Sequence, residues 1–189
     1  MSKTLGIGLA GFGTVGTGVW ETLERNGELI ASRSEVRAAV KRIAVRDISK
    51  SRLKSVPADL FTPDWEQVVA DDTVDIVIEL IGGTTTAFDI VAAALQAKKP
   101  VVTGNKALLA ERGRELFALS REMNTPIYFE AAVAGGIPII KAVQDSFVGN
   151  RIQSMVGVIN GTSNYILERM TDAGYGYEEA LAEAQQLGY

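Results

Sequence analysis

The chain contains no histidine and no cysteine among its 189 residues. Without cysteine it has no disulfide, no thiolate ligand for zinc and no thiol nucleophile. Without histidine it has no Ser-His-Asp triad and no imidazole to shuttle protons or bind a metal. Acid-base chemistry in this chain therefore falls to lysine, aspartate, glutamate or tyrosine, or to a bound cofactor.

Positive charge and long apolar runs are also scarce. There are 19 Lys and Arg residues against 23 Asp and Glu residues, for a formal net charge of −4. Nucleic-acid binding needs clustered Lys and Arg, so this balance argues against such a partner. No apolar run approaches the roughly 20 residues of a membrane span, and the N-terminus shows no signal-peptide pattern. We expect neither nucleic acid nor membrane as a partner and predict a cytoplasmic protein.

Apolar segments typical of buried strands alternate with amphipathic segments typical of helices over the first two thirds of the chain. Val15, Val19 and Leu23, for example, follow the i, i+4, i+8 spacing of one helix face. We predict strands at 5–10, 74–81, 101–103 and 127–129, and a second strand in chain order that ends near residue 45. We predict helices at 14–25, at 63–70, around 88–95 and after 106, with a loop at 26–34. This order predicts an α/β fold with a doubly wound parallel sheet.

The pattern changes after about residue 131, where Gly135-Gly136-Ile137-Pro138 interrupts the chain. Beyond it we predict a helix at 138–147, a strand at 154–159, and helices at 163–171 and 177–187. We therefore predict a first domain over residues 1–131 and the beginning of a second, truncated domain over residues 132–189.

The strongest local motif follows the first predicted strand and reads Gly11-Phe12-Gly13-Thr14-Val15-Gly16. In a dinucleotide-binding turn the first glycine allows the tight bend, the second lets a pyrophosphate approach, and the third lets helix and strand pack closely. The free N–H groups of the following helix favour an anion. The motif predicts NAD(P) binding, and the alternative is a glycine turn with a structural role alone.

Arg46 and Asp47 stand at the end of the second predicted strand. An aspartate here accepts hydrogen bonds from a ribose, as in NAD, while an arginine pairs with the 2′-phosphate of NADP. The sequence offers both, and we favour NADP through Arg46. The alternative is that both are solvated charges at a strand end.

Two further segments follow strands that end at the same predicted edge of the sheet. The segment at 82–86, with Gly83 and Thr84, offers bare backbone and hydroxyl groups where ligands bind in open α/β sheets, or else forms a loop with an N-cap threonine. Lys106 falls in the first turn of the next helix, where the helix dipole opposes a cation by a few tenths of a kcal/mol. A ligand-facing role would explain this lysine; exposure on the surface is the alternative.

Five motifs resemble those of the homoserine dehydrogenases, in the same order from end to end: GLAGFGTVG at 8–16, ELIGG at 79–83, GNKALLA at 104–110, EAAVAGGIPII at 130–140 and NGTSNYIL at 160–167. The resemblance implies a Rossmann-type doubly wound sheet followed by the beginning of an α+β catalytic and dimerisation domain. It also implies NAD(P)-dependent interconversion of L-homoserine and L-aspartate 4-semialdehyde by hydride transfer, in the biosynthesis of threonine, methionine and isoleucine.

The resemblance assigns roles to individual residues of the first domain. Phe12, Gly13, Thr14 and Val15 would line the pyrophosphate. Thr84 would border the nicotinamide ribose, and Lys106 would reach the cofactor and the substrate end of the cleft.

The resemblance also implies a monovalent cation, sodium or another, held by main-chain carbonyls of Glu130, Val133, Gly135 and Ile137. A Gly-rich irregular turn suits this, because hard cations take oxygen ligands. From the residues alone, the same segment is a turn that joins two domains. The segment at 160–165 would lie at the floor of the substrate pocket or near the interface of a homodimer of the full-length protein.

The family's acidic substrate-binding residue, its Asp and its catalytic Lys would follow after Tyr189. We therefore expect no catalytic residue within this chain, and cofactor binding with little or no turnover. Lys141 cannot replace the family's catalytic Lys, because it lies outside the motif that matches. Semialdehyde and glyceraldehyde-phosphate dehydrogenases, which form an acyl intermediate on a cysteine thiol, are excluded by the lack of cysteine. The motif at 160–167 argues against sugar oxidoreductases. A non-catalytic NAD(P)-binding or sensing module is the alternative from another class.

Overall fold

A computed structural model of the chain describes residues 3–50 and 56–188. The chain divides into two compact units, Met1–Gly135 and Gly136–Tyr189. The division falls inside the glycine-rich segment, a few residues beyond the boundary expected after residue 131. The two units are described separately below.

Within the described residues, the first unit contains six strands joined by helices and 3₁₀ turns. The strands are β1 (Lys3–Ala10), β2 (Val36–Ala44), β3 (Phe61–Thr62), β4 (Ile76–Glu79), β5 (Val101–Thr103) and β6 (Ile127–Tyr128). The helices are α1 (Thr14–Ser34), α2 (Glu66–Ala70), α3 (Thr85–Gln96) and α4 (Lys106–Met123), with 3₁₀ turns at Ala58–Leu60 and Glu130–Ala132.

The strands form one sheet in the order β3-β2-β1-β4-β5-β6, and every neighbouring pair is parallel. The strand order reverses between β1 and β4, so the loops after these two strands diverge and leave a crevice at the carboxyl edge of the sheet. The predicted doubly wound parallel α/β fold is confirmed.

The core of the first unit lies between the sheet and its helices. The central strands bury Leu9, Val77 and Val101 completely. Helix α3 turns one continuous apolar stripe to the core because its buried side chains follow the helical repeat: Ala87, Ile90, Val91, Ala94 and Leu95. Parallel sheets are generally covered by helices, and this packing fixes the strands from which the loops at the sheet edge emerge.

Helix α1 is longer than predicted, because the segment expected as a loop at 26–34 is helical and the helix ends at Ser34. Gly27 does not interrupt the helix, because one glycine inside a helix costs only about 1 kcal/mol. The next turn carries Glu28, Leu29 and Ala31, which favour helix and compensate for it. Arg37 on β2 also donates to Glu28 at 2.7 Å, so the added turns are tied to the sheet.

Helix α2 is shorter than predicted and begins at Glu66, after Pro63 rather than with it. The Asp64 carboxylate accepts a hydrogen bond from the Glu66 amide at 3.1 Å, which ends the loop and orients the first helical turn. Strand β4 is also shorter than the predicted range 74–81, because the chain turns away from the sheet after Glu79.

The second unit contains α5 (Ile139–Lys141), a π turn at Ala142–Ser146, α6 (Gly161–Asp172) and α7 (Tyr177–Leu187). Helices α6 and α7 bury Ile166 against Ala180 and Ala184. Arg169 donates to both oxygens of the Glu183 carboxylate, at 2.7 and 2.8 Å, across the same pair of helices. The predicted helix at 177–187 has the bounds of α7.

The predicted strand at 154–159 is wrong, and the predicted helix at 138–147 is only partly present. Residues 151–160 are exposed and form no regular secondary structure, and no described segment pairs with them. An apolar sequence alone does not make a strand, since a strand needs a neighbour to satisfy its backbone hydrogen bonds. The helix at 138–147 divides into α5 and the π turn, which changes the hydrogen-bond spacing after Lys141.

Candidate cofactor-binding site

The glycine-rich loop at residues 11–16 leaves β1 and begins α1. Gly11 has φ +102°, a conformation that other residues rarely adopt, and a Cβ atom there would lie 2.7 Å from the Leu80 carbonyl oxygen. A Cβ atom on Gly16 would overlap the carbonyl oxygen of Gly11. These two glycines therefore allow the turn and the close approach of helix and strand.

Gly13 differs from both, because no atom of the described residues, apart from its chain neighbours, lies within 4 Å of the position its Cβ would take. Gly13 is the N-cap of α1, no side chain caps that end, and the first turn contains no acidic residue. The first N–H groups of a helix have no partner inside it. Among the described residues, no acceptor pairs with these donors, so the loop presents N–H groups and a positive helix end, which suits an anion.

The other residues of the loop contribute differently. The Phe12 ring packs edge-to-face on Phe61, with ring centroids 5.5 Å apart, so its side chain anchors the loop. Thr14 and Val15 are exposed in the first turn of α1, and Val15 is 61% exposed.

The end of β2 lies beside this loop, since Ala44 pairs with Ala10 in the sheet. Arg46 and Asp47 follow it and are both exposed. The Asp47 carboxylate accepts hydrogen bonds from the backbone amide and the hydroxyl of Ser49, at 2.8 and 2.6 Å. The aspartate thus organises its own turn, whereas Arg46 makes no ion pair with any residue that the structure describes.

The β4–α3 loop (residues 80–84) leaves the sheet next to the glycine-rich loop. The Leu80 amide donates to the Ala10 carbonyl at 2.8 Å, which joins the two loops at their bases. Gly82 and Gly83 follow with φ of +73° and +72°, and both are exposed. Thr84 is half-buried and stands at the N-cap position of α3, but its side chain makes no capping hydrogen bond. The alternative role for this residue, an N-cap threonine that closes the loop, is therefore not filled by its hydroxyl.

Lys106 lies in the first turn of α4, as predicted, where it is the first residue of the helix, and its side chain is exposed. The first turn of α4 contains no acidic residue, and no described residue forms an ion pair with Lys106. The ammonium group is therefore a cation beside the positive end of a helix, without a counter-charge among the described residues.

A buried carboxylate underlies the two loops that carry Thr84 and Lys106. Glu79, the last residue of β4, is fully buried. Its Oε1 accepts from the Ile81 amide at 2.9 Å, and its Oε2 accepts from the Thr103 hydroxyl at 2.7 Å. The Asn105 side-chain amide donates to the same Oε1 at 3.4 Å.

Sequence reasoning assigned no role to Glu79, Thr103 or Asn105. A signal was present, because Glu79 interrupts an apolar strand sequence, and a charged residue there must be paired or hydrogen-bonded. Its partners could not be named from the sequence, since they belong to another strand and helix start.

The sheet register brings the predicted cofactor residues of the first unit to one edge. Ala10 pairs with Glu79, and Glu79 pairs with Thr103, so the loops that follow these three residues leave the sheet side by side. The loops carry the glycine-rich turn, Thr84 and Lys106.

The four residues predicted to hold a cation fall on both sides of the division between the units. In the first unit, the Glu130 carbonyl begins a 3₁₀ turn and accepts from the Val133 amide at 3.1 Å, and Gly135 is exposed. In the second unit, the Ile137 carbonyl accepts from the Ile139 amide at 2.8 Å. A carbonyl oxygen has two lone pairs, so accepting one hydrogen bond does not by itself prevent it from binding a cation. Among the described residues, no group of three acidic side chains could hold a metal.

The pKa shifts resolved in the described residues lie outside this edge. The hydroxyl and backbone amide of Thr73 lower the pKa of the Asp71 carboxyl, and Arg42, 3.1 Å away, lowers it further. In the second unit, the Arg169 guanidinium lowers the pKa of Glu183.

A parallel sheet in this strand order, with an open glycine-rich loop at its switch point, defines a dinucleotide-binding domain of the Rossmann type. The family model for the NAD-binding domain of homoserine dehydrogenase matches residues 11–130, and the homoserine dehydrogenase model matches residues 138–189. The chain belongs to the homoserine dehydrogenase family, as the motifs predicted.

Individual relatives agree with this assignment. The chain is 45% identical to a homoserine dehydrogenase of Synechocystis sp., in a match that covers 98% of this chain and 42% of the relative. It is similar to the crystal structure of a homoserine dehydrogenase from Thiobacillus denitrificans, with a TM-score of 0.89, 45% identity, and coverage of 99% and 43% of the two chains.

A hyperthermophilic archaeal homoserine dehydrogenase in complex with NADPH matches with a TM-score of 0.79 and 26% identity, covering 98% of this chain and 61% of that one. The chain spans about two fifths of the length of the curated relatives it matches. The described residues include no helix long and apolar enough to cross a membrane.

Proposed function

We propose that the chain binds NADP, or NAD, as the cofactor-binding part of an enzyme that interconverts L-homoserine and L-aspartate 4-semialdehyde. The observation that carries the proposal is the open Gly13 position at the start of α1, where free helix N–H groups face space that no described side chain fills. Membership of the homoserine dehydrogenase family supports the reaction and its small-molecule substrate.

The nicotinamide ring supplies the hydride chemistry when the cofactor is bound. The chain's own residues bind and orient it. The backbone N–H groups after Gly13 and the positive end of α1 hold the pyrophosphate, because they place partial positive charge where no acceptor of the described residues competes. Arg46, exposed beside this loop, pairs with the 2′-phosphate and makes NADP the preferred cofactor.

At the other end of the site, the Thr84 hydroxyl borders the nicotinamide ribose and Lys106 faces the reacting end of the cleft. Support for Lys106 comes from its electrostatic setting, since a cation at a helix N-terminus is unfavourable without an anionic or polar partner. The Lys106 ammonium binds a cofactor or substrate oxygen there and so helps to hold the ligand in place.

Further expectations concern the whole protein. A monovalent cation would be held by main-chain carbonyls of Glu130, Val133, Gly135 and Ile137. A homodimer would cover apolar side chains of the second unit, where Val156 is 100% exposed and Ile159 is 93% exposed. A cytoplasmic location fits the lack of cysteine.

The proposal is tested by titrating the chain with NADPH and NADH and following nicotinamide fluorescence, with the full-length protein assayed for homoserine-dependent reduction of NADP. We expect saturable binding by the chain, tighter for NADPH, and turnover by the full-length protein. Absence of binding would contradict the proposal. Binding without turnover by the full-length protein would instead favour a non-catalytic NAD(P)-binding or sensing module.

A further inference from the structure

The Asn105 side chain connects three elements of the cofactor edge. Its Oδ1 accepts from the Leu108 amide at 3.1 Å and so caps helix α4. Its Nδ2 donates to the Gly83 carbonyl in the β4–α3 loop at 2.7 Å and to Glu79 Oε1 at 3.4 Å. The side chain is buried, so these bonds are shielded from competing water.

Glu79 is surrounded by donors in this arrangement. The Thr103 hydroxyl oxygen accepts from the Asn105 backbone amide at 3.1 Å, so its single proton is left to donate to Glu79 Oε2. The Ile81 amide and the Asn105 side chain donate to Oε1. Both carboxyl oxygens therefore act as acceptors, and these hydrogen bonds offset the cost of burying the group.

The middle of the β4–α3 loop consists of Gly82 and Gly83, which have no side chains to hold it in place. Both are exposed and have positive φ, and glycine has the widest backbone freedom of any residue. The Leu80 amide is held by the Ala10 carbonyl at the base of the loop, and two further hydrogen bonds hold the residues on either side of Gly82: the Ile81 amide donates to Glu79, and the Gly83 carbonyl accepts from Asn105.

We propose that Glu79 and Asn105 are positioning residues, which hold the β4–α3 loop in the one arrangement that receives the nicotinamide end of the dinucleotide. The proposal rests on the proposed function, because it concerns the same site. Neither side chain touches the cofactor: each acts through the loop and through the start of α4, where Lys106 follows Asn105 directly.

The two arms of Asn105 separate this role from a merely structural one. The Oδ1 arm is sufficient to cap α4. The Nδ2 arm reaches Gly83, an exposed residue of the loop that has no side chain to add to the apolar core. The fold does not require that arm, whereas a preorganised ligand site does.

The test uses the chain with Asn105→Ser, because serine caps a helix about as well as asparagine but is too short to reach Gly83. Dissociation constants are measured for two ligand pairs, NADPH with 2′,5′-ADP and NADH with 5′-AMP. The second ligand of each pair lacks the nicotinamide end. We expect the variant to bind each complete dinucleotide about five- to tenfold more weakly, the size of one lost hydrogen bond, and to bind each adenosine fragment unchanged.

Glu79→Gln is the second variant, since it keeps the volume of the side chain but presents a donor to the Thr103 hydroxyl. We expect the same selective loss for complete dinucleotides. Asn124→Ser is the matched control: it makes the same chemical change at the opposite, exposed end of α4, and it should alter neither affinity. Thermal unfolding of every variant is followed by circular dichroism.

Unchanged dinucleotide affinity in Asn105→Ser would overturn the proposal. Equal losses for the dinucleotides and their fragments, or failure of this variant to fold, would also overturn it, because Asn105 would then serve the fold as a whole. If the unsubstituted chain binds neither dinucleotide, the proposed function itself fails, and the inference that rests on it fails too.

Discussion

Gly16 stands so close to the carbonyl oxygen of Gly11 that no Cβ atom fits between them. This contact joins the first turn of α1 to the end of β1 and sets the path of the chain around the open Gly13 position. The loop at 11–16 thus combines two glycines that the packing requires with one that it does not.

Gly16→Ala should destabilise the first unit. The added methyl group would meet backbone rather than a flexible side chain, so helix and strand must move apart. We expect a loss of about 1 to 3 kcal/mol in the free energy of unfolding, measured by urea denaturation. A variant as stable as the unsubstituted chain would contradict the close packing described here.

Gly13→Ala is the matched partner of Gly16→Ala. It should weaken cofactor binding and leave the stability of the first unit nearly unchanged. Gly13 has φ −86° and ψ −157°, which alanine adopts readily, and its Cβ would meet only open space. We expect a change in unfolding free energy within about 1 kcal/mol, because the weaker N-cap is offset by reduced freedom of the unfolded chain.

The methyl group on residue 13 would however stand where the pyrophosphate approaches, so NADPH should bind at least about tenfold more weakly by fluorescence titration. Full NADPH affinity in a folded Gly13→Ala variant would exclude this loop as the pyrophosphate site.

Arg46→Ala should weaken NADPH far more than NADH. The exposed guanidinium is available to the 2′-phosphate that only NADP carries, and a charge-assisted contact of this kind is worth about tenfold or more in affinity. Arg114→Ala, which removes an exposed arginine from α4, is the control and should affect neither cofactor. Equal losses for both cofactors in Arg46→Ala would remove the case for a 2′-phosphate contact.

Acid should destabilise the first unit partly through Asp71. Hydrogen bonds from Thr73, together with Arg42, lower the pKa of this carboxyl below its ordinary value of 3.8. A lowered folded-state pKa contributes stability above that ordinary value, and the contribution is lost as the pH falls through the folded-state pKa.

Asp71→Asn cannot lose a charge, so its unfolding free energy should fall less steeply than that of the unsubstituted chain as the pH drops below 3.8. Urea denaturation across this pH range measures both slopes. Identical slopes would show that Asp71 does not contribute to acid unfolding.

Short-range patterns were enough to predict much of the fold and part of the candidate site. Strand β5, the start of α4 at Lys106 and the bounds of α7 follow from apolar spacing and end signals within a few residues. The glycine pattern at 11–16 likewise indicates its turn. Such features depend on hydrogen bonds and steric limits between near neighbours, which the local sequence specifies.

Local patterns misled where distant partners decide the outcome. Residues 26–34 were predicted to form a loop, but α1 continues through them and pairs Glu28 with Arg37 of β2. The apolar residues 154–159 looked like a strand, but no described segment offers them backbone partners.

The sequence by itself determined the class of fold, the family and the glycine-rich turn, because each is written in periodicity or in residues that adjoin along the chain. Only the tertiary structure revealed the connection from Glu79 to Asn105, which are 26 residues apart. They meet because β4 and β5 are neighbours in the sheet and end at the same edge. Sequence spacing carries no record of that pairing, since it depends on the order in which the strands assemble.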